Sequence, residues 1–175
     1  MANSLRPLLT VCDSNDIELT SSWKIGILNI NSNNVLPSST PKEIHIWNNK
    51  GNSTGKAADM IGAYITTKNI SGDDIDEQVV VDKWVNASCK ALSKDLDFNR
   101  IPDMTPIGGK DILNICADVG TEKYKSSFKI SGKSNEGSYE SNNENVSTVV
   151  LQLTPKINAL KGLHQFKVRI SGYYA

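Results

Sequence analysis

Lys50, Gly51, Gly55 and Lys56 are the residues whose types and spacing come nearest to chemistry. They lie in the stretch Trp47-Asn48-Asn49-Lys50-Gly51-Asn52-Ser53-Thr54-Gly55-Lys56-Ala57. A phosphate-binding loop, G-x-x-x-x-G-K-[ST], cradles phosphates on its backbone amides and contacts them with its lysine. Its hydroxyl binds magnesium. Here Gly51 and Gly55 are one residue too close, and Ala57 stands where the hydroxyl is needed. Such a loop must also open a helix whose amino end faces the phosphates. Instead, Ile61-Gly62-Ala63-Tyr64-Ile65-Thr66 follows almost at once and reads as a strand. The stretch is expected to be a polar loop between sheet strands. Gly108-Gly109-Lys110, preceded by Pro106, lacks the spacing altogether and reads as a turn.

Other chemistry is sparser. Asp73, Asp74 and Asp76 are close enough to offer oxygen ligands to calcium, which takes several carboxylate and carbonyl oxygens. They lack the D-x-[DN]-x-[DN]-G spacing and a closing glutamate, so a solvated loop is the favoured reading. The histidines are His45, in a strand beside Trp47, and His164, after Gly162. Neither has a nucleophile motif such as G-x-S-x-G nearby, and both read as packing or surface residues. Cys12, Cys89 and Cys116 form no CxxC pair, which argues against zinc, and they read as reduced, mostly buried thiols. No catalytic residue and no cofactor is assigned. Trp47 is a candidate stacking platform for a sugar, although core packing of Trp23, Trp47 and Trp84 is the preferred reading.

The elements that would position these residues are strands. The 175-residue chain suits one domain, 1–175, with a short N-terminal arm, 1–9. Hydrophobic residues at 38% and charged residues at 22% indicate a globular chain. Lys plus Arg and Asp plus Glu are each 19, a balance that argues against nucleic acid and anionic membranes. Arginine occurs only at Arg6, Arg100 and Arg169. The apolar run Leu8 to Cys12 is too short for a signal peptide, so synthesis without export is expected.

Period-two alternation predicts strands over 23–29, 43–47, 64–67, 127–131, 149–154 and 166–171. In the last of these, Phe166, Val168 and Ile170 should face inward. The β-branched run from Gln78 to Val85 also reads as a strand. Lys56 to Met60 reads as one helical turn, and Asp111 to Cys116 is ambiguous between a short strand and a helical turn. Polar, Gly- and Asn-rich segments separate the runs, with Gly132 to Asn145 expected as a long, mobile hairpin or loop. The pattern predicts an all-β fold with little helix, an antiparallel β-sandwich, Ig-like or jelly-roll-like, of about seven to ten strands.

Two segments carry a resemblance. One joins Ile44-His45-Ile46-Trp47-Asn48-Asn49-Lys50-Gly51 to Asp59-Met60, Ile65-Thr66-Thr67-Lys68 and Asp82-Lys83-Trp84-Val85. The other runs from Val149-x-Leu151-x-Leu153-x-Pro155 through Asn158-Ala159 and Gly162 to Phe166-Lys167-Val168-Arg169-Ile170 and Tyr173-Tyr174. Together they resemble small structural proteins of tailed phages and phage-tail-like particles of low-GC Gram-positive bacteria. The resemblance implies a virion component of a tail, baseplate or head surface, made in the host cytoplasm and without enzymatic activity. Its partners would be other virion proteins and copies of itself in a symmetric assembly. Contacts are expected from the N-terminal arm with Leu8, and from the loop around Trp47, Lys50 and Asn52. Tyr139 in the 132–145 loop, Tyr173 and Tyr174 complete the candidate surface. The alternative is a carbohydrate-binding or adhesion module, whose partner would be a host glycan.

Overall fold

A computed structural model describes residues 5–20, 22–25, 28, 38–90, 104–115, 129–139 and 143–174. The chain forms an all-β sandwich. One sheet has the order β1 (Leu9–Asp13), β2 (Lys42–Asn48), β8 (Val146–Leu153), β4 (Val85–Lys90) and β5 (Thr105–Ile107). The other is built on β3 (Met60–Lys68), which pairs with β9 (Lys167–Tyr174), β6 (Leu113–Asn114) and β7 (Lys129–Ile130). Among the described residues, every ladder between these strands is antiparallel. Among the described residues, no helix is long and apolar enough to cross a membrane.

The core follows from alternation. Ile44 and Ile46 on β2 meet Val149 and Leu151 on β8, Val85 and Ala87 on β4, and Ala63 and Ile65 on β3. Phe166, Val168 and Ile170 pack against this cluster, as their spacing predicts, while Lys167 and Arg169 are exposed. Trp23 and Trp84 also join it. The opposite face of β2 is not wet. His45 and Trp47 lie there, both buried, under Tyr139 and the turn that follows β1.

Several expectations are corrected. The run from Gln78 is not a strand up to Trp84. Gln78–Val81 closes one helical turn, α1, and β4 starts at Val85. Val79 and Val80 are both buried. Adjacent residues of a strand point to opposite faces, whereas a helical turn keeps both valines on its inner side. Packing thus overrides the β-branched preference. Lys56 to Asp59 is not helical, and Met60 begins β3. The Ala57 and Ala58 amides instead donate to the carbonyls of Gly132 and Arg6. The ambiguous 111–116 segment contributes the short strand β6, and Gly108 to Asp111 forms the expected turn, with Gly109 at φ 59°. Of the predicted strand 23–29, residues 23–25 and 28 are irregular and the rest lie outside the described residues. So do Ser127, Phe128, Cys116 and Arg100.

The largest correction concerns the 132–145 segment. Its described part is anchored by a network of buried asparagine side chains. Asn48, at the end of β2, donates from Nδ2 to the carbonyls of Ala58 (2.8 Å) and Ile130 (3.1 Å) and accepts the Leu8 amide at 3.0 Å. Asn49, with φ at 64°, donates to the carbonyls of Gly55 and Gly132. Asn135 donates to the Asn49 carbonyl at 2.7 Å and accepts the Gly51 amide at 3.0 Å. Asn145 donates to the carbonyls of Ser131 and Lys133, each at 2.8 Å. Asp59 adds an acceptor for the Gly132 amide and an ion pair with Lys129. Burial pushes the Asp59 carboxyl up, but these two contacts prevail and hold it below its ordinary value.

A side chain at Gly132 would meet the Ala57 carbonyl oxygen at 2.2 Å. Gly132→Ala is therefore expected to cost about 2 kcal/mol through forced displacement of backbone. Asn48→Ala, which strands buried carbonyls and an amide, is expected to cost about 3 kcal/mol. Urea denaturation of both variants measures this, and an unchanged midpoint for Asn48→Ala would remove the network from its stabilising role.

Candidate functional site

The sandwich has two ends of different chemistry. At one, β2 and β9 finish and β3 and β8 begin, and the asparagine network closes the irregular chain. At the other, β3 and β8 finish, and the 69–84 and 154–166 segments cover the opening.

The first end contains the phosphate-loop lookalike, and the amides of both its glycines are already occupied. Gly51 N–H donates to Asn135 Oδ1, and Gly55 N–H donates to Asn52 Oδ1 at 2.7 Å. Lys50 turns inward, donating to the Asp16 carbonyl at 2.6 Å and to Cys12 Sγ at 3.1 Å. Both glycine amides and the first lysine of the lookalike are thus committed inside the protein. Burial pushes the Cys12 thiol up from its ordinary value, against the pull of Lys50. Cys12 is a free thiol.

Beside Lys50 a cluster of side chains mimics a catalytic constellation. His45 is 3% exposed, and its ring stacks on Tyr139 at 4.3 Å. Its Nδ1 meets Asp16 Oδ1 at 2.8 Å and its Nε2 meets Glu43 Oε1 at 3.1 Å. Ionised carboxylates only accept, so both ring nitrogens donate and the ring is an imidazolium. Burial pulls its pKa down, but the bonds to Glu43 and Asp16 outweigh burial and the net shift is upward. Trp47 Nε1–H donates to the same Asp16 oxygen at 2.9 Å. A general base needs a free nitrogen within reach of a substrate, and here neither nitrogen is free. The cluster acts as a strut that seals the outer face of β2.

The sequence-derived contact residues therefore divide. Leu8, Tyr173 and Tyr174 are exposed, at 55%, 78% and 54%. Trp47 is fully buried, so it offers no platform for a sugar or a partner. Lys50 is committed to Asp16 and Cys12, and Asn52 to Asn49 and Gly55. Tyr139 stacks on His45 and bonds Thr148. Trp47 is internal and the other three are half-buried and bonded within the protein, because the asparagine network draws both polar loops inward. Asp73, Asp74 and Asp76 do not converge: Asp74 pairs with Lys68, and the Asp73 backbone is held by Asn69. Among the described residues, no three acidic, histidine or cysteine side chains gather as metal ligands.

The second end presents what sequence reasoning missed. Ile70, Ile75, Val81, Ile157, Leu160 and Leu163 are all exposed, from 50% at Ile70 to 86% at Leu163. The loops that carry them are tied together. Gln78 donates to the Asn158 carbonyl and accepts the Leu160 amide. His164 donates from Nδ1 to Glu77 at 2.7 Å and from Nε2 to the Leu160 carbonyl at 2.9 Å, with its ring on the edge of Trp84. Asn69 caps the 69–75 turn through the Ile75 carbonyl and the Gly72 and Asp73 amides. The aliphatic side chains are thus displayed on braced backbone. A signal was present in Ile157, Leu160 and Leu163, aliphatics at a spacing of three in an otherwise polar loop.

Comparison with protein-family models, with curated proteins and with solved structures found no match to this chain. The class the fold defines is an all-β sandwich, and its functional reading rests on the chain's own surfaces.

Both histidines have raised pKa values. For His164 the bond to the Leu160 carbonyl raises it most, burial opposes, and Glu77 adds to the rise. A folded-state pKa above the unfolded value gives stability that is complete below the unfolded value of 6.5 and is lost as pH rises through the folded one. Conformational stability is expected to fall across the neutral range towards alkaline pH. In His45→Gln combined with His164→Gln, that dependence should flatten. Urea midpoints recorded over this range test it, and an equal slope in the double variant would contradict the assignment.

Proposed function

We propose that this chain is a non-enzymatic structural subunit of a phage tail, baseplate or capsid surface, acting through protein–protein contacts. One observation carries the reading: six large aliphatic side chains exposed on braced loops at one end of the sandwich. Exposed aliphatics gathered in this way mark an interaction surface, and burying them against a neighbour supplies the driving force. The exposed arm residues Leu5 and Leu8 extend the apolar surface at the opposite end. A subunit with apolar groups at both ends can contact two neighbours at once, as symmetric or stacked assemblies require. The resemblance of the strand patterns to virion proteins supports the same assignment.

Leu160→Asp with Leu163→Asp places two charges on the aliphatic end. It is expected to change stability by no more than about 0.5 kcal/mol, because both side chains are solvent-exposed. It should nevertheless abolish incorporation into particles. Mass spectrometry of purified particles from cells expressing each form reads this. Absence of the unaltered chain from particles sinks the virion reading, and normal incorporation of the variant sinks the aliphatic contact.

A further inference from the structure

We propose that the cleft between the N-terminal arm and the end of β9 binds an acidic sugar, a pyranose carrying a carboxylate or a phosphate. The cleft measures about 780 Å3 and is lined by Arg6, Tyr64, Arg169, Tyr173 and Tyr174, with Ile170 in its apolar wall. This volume is in the range of small-molecule sites. The chain has three arginines in all, and two of them meet here. Among the described residues, neither guanidinium has a carboxylate partner, whereas Lys50, Lys68, Lys83, Lys129 and Lys133 all have one. Two unneutralised guanidinium groups on one cleft select an anion, and their planar fork suits a carboxylate or phosphate.

The aromatic part is placed by a distortion of the sheet. Between Ile61 and Tyr64 the β3–β9 register shifts, so that Gly62 and Ala63 oppose Gly172 alone. Gly62 has φ at 56°, the left-handed conformation that glycine adopts without steric cost. Such a bulge bends the strand and re-aims the side chains beside it. Tyr64 lies on one side of this bulge, and Tyr173, opposite Ile61, on the other. A side chain at Gly172 would meet the Ile61 carbonyl oxygen and the Met60 side chain at 3.0 Å, a close approach that glycine eases. Phenol rings offer a flat apolar face with a polar rim, the surface a sugar ring stacks on. An acidic peptide added to the β9 edge would instead need pockets for alternate side chains. The cleft offers exposed phenol and guanidinium groups there. Arg6 reaches the site because Asn48 holds the arm through the Leu8 amide and Arg6 accepts the Ala58 amide.

This site lies at the opposite end of the β3–β9 pair from the aliphatic loops, so sugar binding and the contact through Leu160 and Leu163 can fail separately. Nuclear magnetic resonance titration of the full chain tests it. The probes are glucuronate, glucose 6-phosphate, glucose, inorganic phosphate and a hexaglutamate peptide. Glucuronate or glucose 6-phosphate, or both, should shift the ring signals of Tyr64, Tyr173 and Tyr174 saturably at millimolar concentration. Glucose and inorganic phosphate should bind at least about tenfold more weakly, because each lacks one half of the recognised chemistry. Arg169→Ala and Arg6→Ala, both at exposed positions, should each weaken acidic-sugar binding about tenfold. No saturable shift with either acidic sugar overturns the proposal. So does glucose or hexaglutamate binding as tightly as the acidic sugars, or unchanged affinity in both arginine variants.

Discussion

Irregular backbone cannot be buried unless its peptide groups find partners, and this constraint governs the closed end of the sandwich. The arm, the turn after β2 and the segment after β7 converge there without forming a ladder. Carboxamide side chains solve the problem because each offers two donors and an acceptor without charge. A hydroxyl would supply too few donors, and a carboxylate would repel the carbonyls it faces while bearing a large desolvation cost. Asn48, Asn49, Asn135 and Asn145 stand in for missing strand partners. Through them the arm is fixed, Tyr139 is brought over His45, and the outer face of β2 becomes a second interior.

That second interior explains the distribution of charge. The chain is neutral as a whole, and many of its charges are paired at short range. Asp16 gathers His45, Trp47 and Lys50 around one left-handed residue, φ 60°, after β1. Each imidazolium serves as a brace with two fixed donors: one under the outer face of β2, the other across the loops of the aliphatic end. Both histidines are thereby used as ties between segments.

How much of this the sequence revealed depends on the range of the interaction. Alternation within a strand is local, and in β9 it correctly assigned Phe166, Val168 and Ile170 to the interior. Core packing is the preferred sequence reading for Trp47, and Trp47 is buried, but only the packing of Tyr139 and the Asp16 turn shows that it is covered on the outer face of β2. The 132–145 segment misled because Asn, Gly and Ser carry the same signature whether a loop is solvated or internally bonded. Their partners at 48–55 are remote in sequence. The valines of α1 misled for a related reason, since burial at the sandwich end outweighs β preference. The scarcity of arginine was visible, whereas the meeting of Arg6 and Arg169 requires the arm and the last strand to be adjacent in space.

The second sheet has a single spine. Among the described residues, β6, β7 and β9 pair with β3 and not with one another. None of the three has a ladder until β3 is extended, and each comes from a later part of the chain. During synthesis, β3 therefore emerges with both hydrogen-bonding edges open and waits for its partners in succession, β9 last. Pairings this distant are slow to form, and an unpaired edge is a template for a foreign strand. The interval before β9 arrives is the period in which this protein is most exposed to misassembly with its own copies.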